Sequence, residues 1–485
     1  MLYFDVVIIG AGPAGCAAAL RLRQLGYSVA MVERYAFPRA QIGESLSPGV
    51  WPIMDALDIR HSLEHESFIT DLDARVRWDD DSERVIASSE RGPGIMVDRA
   101  VMDKSMLDAC QRAGVQVYQP AQVVKQYRGE LEWHVVINGL NTDTLINCGQ
   151  IFNATGKAGP KQLVYTAPRA LVFWTDIVRN KNLPNATVIE ALTNGWLWAA
   201  PIANGGYRLM VYTDNQSLKS SGKKWLFTAM LRESHYFSDV LPANFELHSC
   251  VSQSYFNANS WQPQLWHIGD SAFCLDPLSS TGVEKSLRFA LHACTCYHTI
   301  MKTQDVELAH EFYQHKLMQT IVTHTRWTQD YYARSFLSRA DDASSFWTQR
   351  SNFYHDGRKF NEDEKQAFVD LLNKPVVEPK PLSTGAPSLL RDDLHRRVVV
   401  DKQVNKVQLP CVVNETLKRK KAIEHPGLIG ATAYVANAEI SPLLDLIVAE
   451  STVSSLLADW SHLHGATKAQ QVMLAMLDAG VLAVR

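Results

Sequence analysis

The sequence predicts an α/β protein in which a βαβ core is interrupted by a β-rich insertion and followed by a small C-terminal winged-helix-like unit. Three observations predict it. An apolar run at residues 4–9 leads straight into Gly10-Ala11-Gly12-Pro13-Ala14-Gly15 and then into a helical pattern. Helix and strand patterns alternate again at about residues 98–117 and 265–301. Between them, about residues 160–260 carry alternating or β-rich runs such as 207–213, the pattern of a sheet covering the core.

Each element has a local reason. Residues 4–9 are continuously apolar and short, as a buried parallel strand requires. The helix that follows runs from about residue 14 to 25, where Gly26 stops it, and a second strand at 28–32 ends on Glu33. From about 305 to 373 the pattern turns helical and aromatic. Trp327, Tyr331, Tyr332 and Phe336 lie in that stretch and read as helix packing rather than as a peptide cleft. Asn361 with Glu364 forms a capping box for a last helix with Ala367, Phe368, Leu371 and Leu372 on one face. Pro375, Pro379, Pro381 and Pro387 then mark a boundary at about 375–390, because proline cannot continue a helix. Beyond it, Val453, Leu456, Leu457 and Trp460 share a helix face behind Ser451 and Thr452. A second helix runs from Thr467 to Gly480, with a strand-like run at 481–484. The expected domains are 1–160 with 262–340 for the nucleotide core, 161–261 for the β-rich cover, 341–374 for a helical connection and 390–485 for the tail unit. Residues 68–98 are expected to contribute partly to the covering sheet.

Composition narrows the function classes. A chain of 485 residues is too long for one ordinary core. A net charge of -3 gives no global attraction to nucleic acid or anionic membrane. Lys418-Arg419-Lys420-Lys421 is a basic cluster, yet residues 380–485 hold 12 Lys and Arg against 10 Asp and Glu, so peptide or partner-protein docking fits the tail better than DNA. Eight cysteines lie scattered with no C-x-x-C pair, which argues against a structural metal and for a reducing compartment. The apolar start lacks a basic leader and no run is long enough to span a bilayer, so the expected location is the cytoplasm.

The glycine motif carries the first chemistry. Gly10 permits the tight turn, Gly12 lets backbone approach a pyrophosphate, and Gly15 lets the helix pack against the sheet, bringing the helix N-terminus to the phosphates. Pro13 and Ala14 open that helix. Glu33 follows Gly15 by eighteen residues, where an acid can accept from ribose hydroxyls. This is a Rossmann-like dinucleotide site.

Further motifs carry a family resemblance. Gly43-Glu44-Ser45-Leu46 with Pro48 resembles the signature of flavin-dependent halogenases and geranylgeranyl-reductase-like flavoproteins. Residues 152–156, ending in Gly156, resemble the return strand of that family. Gly269-Asp270, followed by Asp276-Pro277 and Ser279-Ser280-Thr281-Gly282-Val283, resembles its third motif. The resemblance implies FAD as cofactor in a fold of the glutathione-reductase/aromatic-hydroxylase type. It implies that Asp270 binds ribityl hydroxyls and that the helix after Thr281 faces the flavin pyrimidine end. Arg34 and Arg39, flanking the second strand and the Gly-Glu-Ser loop, join the cofactor-binding set. Gly195-Trp196-Leu197-Trp198-Ala199-Ala200-Pro201 resembles the W-x-W-x-x-P stretch of the halogenases; Trp196, Trp198 and Pro201 are candidates for the substrate cleft, with core packing of the two rings as the alternative.

Halogenases of this family carry a lysine downstream of the Gly-Glu-Ser motif. Here no lysine precedes Lys104, and residues 68–78 offer only Arg75 and Arg77, whose pKa is too high to share a proton. The chain therefore most resembles the flavoprotein monooxygenases of tryptophylquinone biogenesis, including the one serving quinohemoprotein amine dehydrogenase. That resemblance implies hydroxylation of an aromatic side chain, tryptophan above all, in a protein or peptide partner through a flavin C4a-hydroperoxide. Dioxygen would be co-substrate, and electrons would come from reduced nicotinamide or a separate flavin reductase. Alternatives are halogenation of an aromatic substrate, reduction of an isoprenoid double bond, and a non-catalytic FAD-containing assembly factor. No residue is singled out as catalytic, since His61 and His65 read as exposed helix-end histidines.

Overall fold

The computed structural model describes residues 2–139, 143–159, 162–218, 222–241, 244–336, 346–351, 353, 394–428 and 430–485. It divides into two units, residues 1–294 with 315–372 and residues 295–314 with 373–485. The capping box at Asn361 and the boundary prolines lie outside the described residues.

In the first unit, strand Leu2–Ile9 is the centre of the nucleotide sheet. It pairs in parallel with Val29–Val32 on one side and Thr144–Asn153 on the other, and the sheet extends to Gln116–Tyr118 and Leu265–His267 at its flanks. Val6, Val7 and Ile8 are fully buried, as a strand covered on both faces must be. Helix Pro13–Gln24 packs its small residues, Ala14 to Ala19, into the core, and helix Arg99–Arg112 lies beside it, opened by an Asp98 side chain that accepts from Ala100 N–H at 2.8 Å.

The covering sheet has seven strands. Its centre is an antiparallel run of Ala170–Val178, Gly206–Thr213, Gly195–Pro201 and Ala186–Leu192, and Asp73–Arg77 joins in parallel at Ala186–Leu192. Period-two alternation sorts its side chains. Trp196, Trp198 and Ala200 face one hydrophobic cluster, whereas Leu197 and Ala199 face another beneath helix Lys223–Glu233. The fold is α/β, a Rossmann-like parallel-sheet domain with an inserted, largely antiparallel β-sheet domain.

The second unit holds helices Ile440–Asp445, Val453–His464 and Ala466–Asp478, with Leu482–Val484 pairing antiparallel to Val398–Val400. Thr452 caps its helix as the sequence suggested, through Ser455 N–H. Trp460 is fully buried. A nine-residue ribbon, Asn405–Val413 against Thr416–Glu424, contains the basic run. Residues 295–314 belong with this unit rather than with the nucleotide core: Leu417 N–H donates to Thr299 Oγ1 at 2.9 Å and Arg419 pairs with Glu311 at 2.6 Å. Among the described residues no helix is long and apolar enough to cross a membrane, and no cluster of three His, Cys, Asp or Glu could hold a metal.

Candidate active site

The first motif folds as its residue types require. Gly10 has φ +107°, and a Cβ there would meet the Ala154 carbonyl at 2.4 Å, so the turn and the return strand at Ala154 admit only glycine. A Cβ at Gly15 would lie 2.1 Å from the Gly10 carbonyl. Gly12 is the N-cap of helix Pro13–Gln24 and no side chain caps it. Beside it stands Arg39, one terminal nitrogen 3.9 Å from where a Gly12 Cβ would be. Its Nε is buried without a partner. An uncapped helix N-terminus next to an unsatisfied guanidinium N–H is a cradle for an anion such as a pyrophosphate, and the residues present fit FAD in this respect.

Glu33 is buried, and each of its carboxylate oxygens accepts one backbone N–H, from Ala11 at 2.8 Å and from Tyr35 at 2.9 Å. Each oxygen keeps a second lone pair for a ribose hydroxyl, so the side chain braces the glycine loop without being used up. Arg34 is exposed with its guanidinium over the Tyr35 ring at 4.6 Å.

The three motifs converge. A Cβ at Gly269, whose φ is +62°, would lie 2.8 Å from Ala14 Cβ, which places the third motif on the first helix. Asn153 accepts from Thr155 N–H and hydroxyl at 3.1 and 2.7 Å and shapes the turn into Gly156, φ +67°. Pro277 follows Asp276, whose side chain caps the short turn through Leu278 N–H. Thr281 Oγ1 bonds Ser279 Oγ at 2.7 Å, and Gly282 and Val283 begin helix Gly282–Thr303 with open space at the Gly282 Cβ position. The Gly-Glu-Ser loop is held on two sides. Ser45 pairs with Met96, Gly43 at φ +100° donates to the Glu44 carboxylate, and Glu44 pairs with Arg208. Arg208 in turn binds Asp176 through Nε and Nη2 at 2.7 and 2.8 Å. A cavity of about 210 Å³ lies between this loop and the covering sheet, lined by Gln41, Glu44, Asp98, Arg99, Asn204 and Arg208.

Three cations of this site were not anticipated. Arg99 is buried, bidentate to Asp103 at 2.9 and 3.0 Å, and donates to the Ile42 carbonyl at 3.1 Å. Lys157 hydrogen-bonds Cys274 and faces Asp270 and Cys250. Lys157 is open to solvent, and Cys274 first, then Asp270, raise its ammonium above the usual lysine range. Burial first, then Asp270, pushes Cys274 up to about 12, while Lys157 draws it back. Burial raises Asp270, while Lys157 and Arg99 draw it back. Signals existed for all three: Arg99 follows the Asp98 cap, Lys157 follows Gly156, and Arg208 interrupts the apolar strand 207–213.

Trp196 and Trp198 lie in an aromatic cluster with Trp78, Tyr332, Phe346 and Trp347. Pro201, at the end of the same strand, is buried. The cluster touches the third motif, because Tyr332 donates its hydroxyl to Asp276 at 3.2 to 3.3 Å and His324 Nε2 lies 3.1 Å from the Asp276 carbonyl. His61 is exposed and bonded to Arg112, and His65 is exposed and bonded to Ser67.

The comparisons with known proteins agree with this geometry. A model of the FAD dependent oxidoreductase family matches residues 5–159. The chain is 25% identical over 406 residues to a tryptophan 2-halogenase of Chondromyces crocatus, covering 76% of each chain. It is 23% identical over 337 residues to a pyrrole-2-carbonyl carrier-protein chlorinase of Pseudomonas fluorescens, covering 59% of this chain and 74% of that one. Among solved structures it is similar to CmlS, a flavin-dependent halogenase, with TM-score 0.77 at 19% identity over 100% of this chain and 96% of that one. It is also similar to QhpG, a peptidyl tryptophan dihydroxylase of tryptophylquinone biogenesis, with TM-score 0.69 at 20% identity over 99% of each. These structural likenesses fix the fold and leave halogenase and hydroxylase types side by side. The chain is an FAD-dependent oxidoreductase, similar in sequence and fold to flavin-dependent halogenases and to a tryptophan dihydroxylase.

Proposed function

We propose that the protein uses reduced FAD, dioxygen and halide to halogenate an electron-rich aromatic ring of the indole or pyrrole class. The observation that carries this reading is Lys157. Sequence alone argued against halogenation because residues 68–78 lack a lysine, but Lys157 reaches the site from a different loop. Its turn, Gly156–Ala158, packs against the Gly269–Ser271 turn that carries Asp270, and nearby Cys250 packs on the aromatic cluster. The named chemistry of the tryptophan and pyrrole halogenases above supports the same choice.

Gly10, Gly12, Gly15 and Arg39 would hold the pyrophosphate, Glu33 the adenosine ribose, and Asp270 the ribityl chain, while Gly43, Glu44, Ser45, Gly156 and the helix start at Gly282 shape the flavin slot. FAD, once bound and reduced, supplies the activation of dioxygen. Lys157, held charged, donates a hydrogen bond to the oxygen of hypohalous acid and turns the halogen toward the ring. Arg208 and Glu44 tie the flavin loop to the covering sheet. Electrons come from reduced nicotinamide or a partner reductase.

The second reading, hydroxylation of tryptophan in a protein or peptide partner, is favoured by the likeness to QhpG along the full chain. One experiment separates the two. FAD-loaded protein is supplied with a flavin reductase, NADH, oxygen and bromide, and offered tryptophan, a pyrrole thioester and a tryptophyl peptide. Products carrying the bromine isotope doublet, lost in Lys157→Gln, support halogenation. A gain of one oxygen without bromine, undiminished in Lys157→Gln, overturns it.

A further inference from the structure

Five rings of the first unit form a file from the third flavin motif to solvent. Tyr212 stacks on Trp196 with centroids 3.9 Å apart and planes at 4°. Trp196 lies 6.3 Å from Trp78, Trp78 lies 5.1 Å from Tyr331, and Tyr331 stacks on Trp327 at 5.1 Å and 28°. A sixth ring, Tyr332, joins the file at Trp78, 6.1 Å away, and bonds Asp276 of the flavin motif. The outer end differs from the rest: Trp327 is 41% exposed, whereas Trp78 and Trp196 are each 2% exposed. The stack thus runs without a break from fully buried rings to an indole that solvent reaches.

We propose that this file is a one-electron escape route that carries oxidising equivalents away from the flavin site to Trp327. Indole and phenol are the most readily oxidised rings in proteins, and neighbours at these spacings exchange an electron far faster than a trapped oxidant attacks the chain. A hydroperoxyl radical, the one-electron product of dioxygen activation that escapes the flavin, is reduced to hydroperoxide by one electron from Trp196 or Tyr332. The vacancy passes through Trp78 and Tyr331, and Trp327 ends one electron short. Water around Trp327 solvates the positive charge, which the dry interior cannot. Arg334, whose guanidinium lies 4.9 Å over Tyr331, disfavours positive charge resting there, so Tyr331 is a point of passage. A soluble thiol or ascorbate then returns one electron to Trp327, and the balance is one oxidant reduced for each reductant oxidised. This protects an enzyme that activates dioxygen beside its own tryptophans, whichever ring modification it performs.

Flash photolysis of the FAD-loaded protein tests the route without halide, substrate or oxygen, so its outcome is independent of the halogenation reading. Blue light makes bound oxidised flavin withdraw one electron from a neighbouring ring, and transient absorption follows the indole radical. The native protein should show a long-lived phase that is quenched by added ascorbate. Trp327→Phe and Tyr331→Phe should lose that phase while keeping flavin absorption and circular dichroism. Mass spectrometry after prolonged illumination in air should place oxidation at Trp327 in the native protein and at Trp78 or Trp196 in Trp327→Phe. A long-lived phase unchanged in both variants, or native oxidation confined to the inner rings, overturns the proposal.

Discussion

Arg99 offers the sharpest separation of stability from cofactor binding. Its guanidinium neutralises the buried Asp103 through two hydrogen bonds and, with Nη1, holds the Ile42 carbonyl of the loop that leads into Gly43. Arg99→Ala leaves Asp103, 1% exposed, as an unpaired buried carboxylate. Breaking such a pair from one side costs about 3–5 kcal/mol, whereas replacing both members by apolar residues of similar volume is often neutral. Arg99→Met with Asp103→Leu should therefore recover most of the stability lost in Arg99→Ala. It should not recover flavin binding, because the charge-assisted bond to Ile42 is absent from both variants. A bond of that kind contributes about 1.5–3 kcal/mol, which corresponds to roughly ten- to hundredfold in FAD affinity. Urea unfolding followed by tryptophan fluorescence reads the first quantity, and FAD titration followed by flavin fluorescence quenching reads the second. If the double variant is as unstable as Arg99→Ala, the pair is not the cause. If it binds FAD as tightly as the native chain, Arg99 does not hold the loop.

Other expectations follow from single contacts. Gly15→Ala should abolish flavin retention, since its Cβ would meet the Gly10 carbonyl at 2.1 Å, while Gly282→Ala, with nothing within 4 Å, should keep the protein yellow; equal FAD content in the two would contradict the cradle. Burial holds His267 down to about 4, and His324 is shifted the same way, so the neutral rings favour the folded state fully above pH 6.5 and lose that contribution as pH falls toward the folded value. Stability measured in urea should fall between pH 6.5 and about 4, and His267→Gln should reduce the slope by about one proton; an unchanged slope would remove His267 from the acid transition. Trp460, wholly buried in the small second unit, should cost about 3–5 kcal/mol as Trp460→Ala, read as loss of a separate unfolding transition in calorimetry with FAD content retained.

What was legible in the sequence was whatever a residue does to its own backbone or to a fixed spacing. Gly10, Gly15 and Gly269 announce themselves because only glycine survives those torsions and approaches, and Glu33 because the length of one βαβ unit sets its distance from the turn. The pair Arg99 and Asp103 has the i, i+4 spacing of an ordinary solvent-facing helix bridge, and nothing in that spacing says that the helix face is covered. The ribbon at 405–424 was hidden by Pro410 and by four consecutive basic residues. Its alternating Val407, Leu409, Cys411 and Val413 were the overlooked signal. The contact between Tyr332 and Asp276 spans 56 residues, and no local pattern predicts it. Lys157 is the instructive case. Read locally it is a charged residue after a turn, and its absence from residues 68–78 turned the chemistry toward hydroxylation. A catalytic amine needs only to arrive at a point in space, so its loss from one segment excludes a reaction only when no other segment can deliver one. The fold brings the turn at Gly156 beside Asp270, and that proximity, set by the pairing of Thr144–Asn153 with Leu265–His267, reopens the question that residues 68–78 had closed.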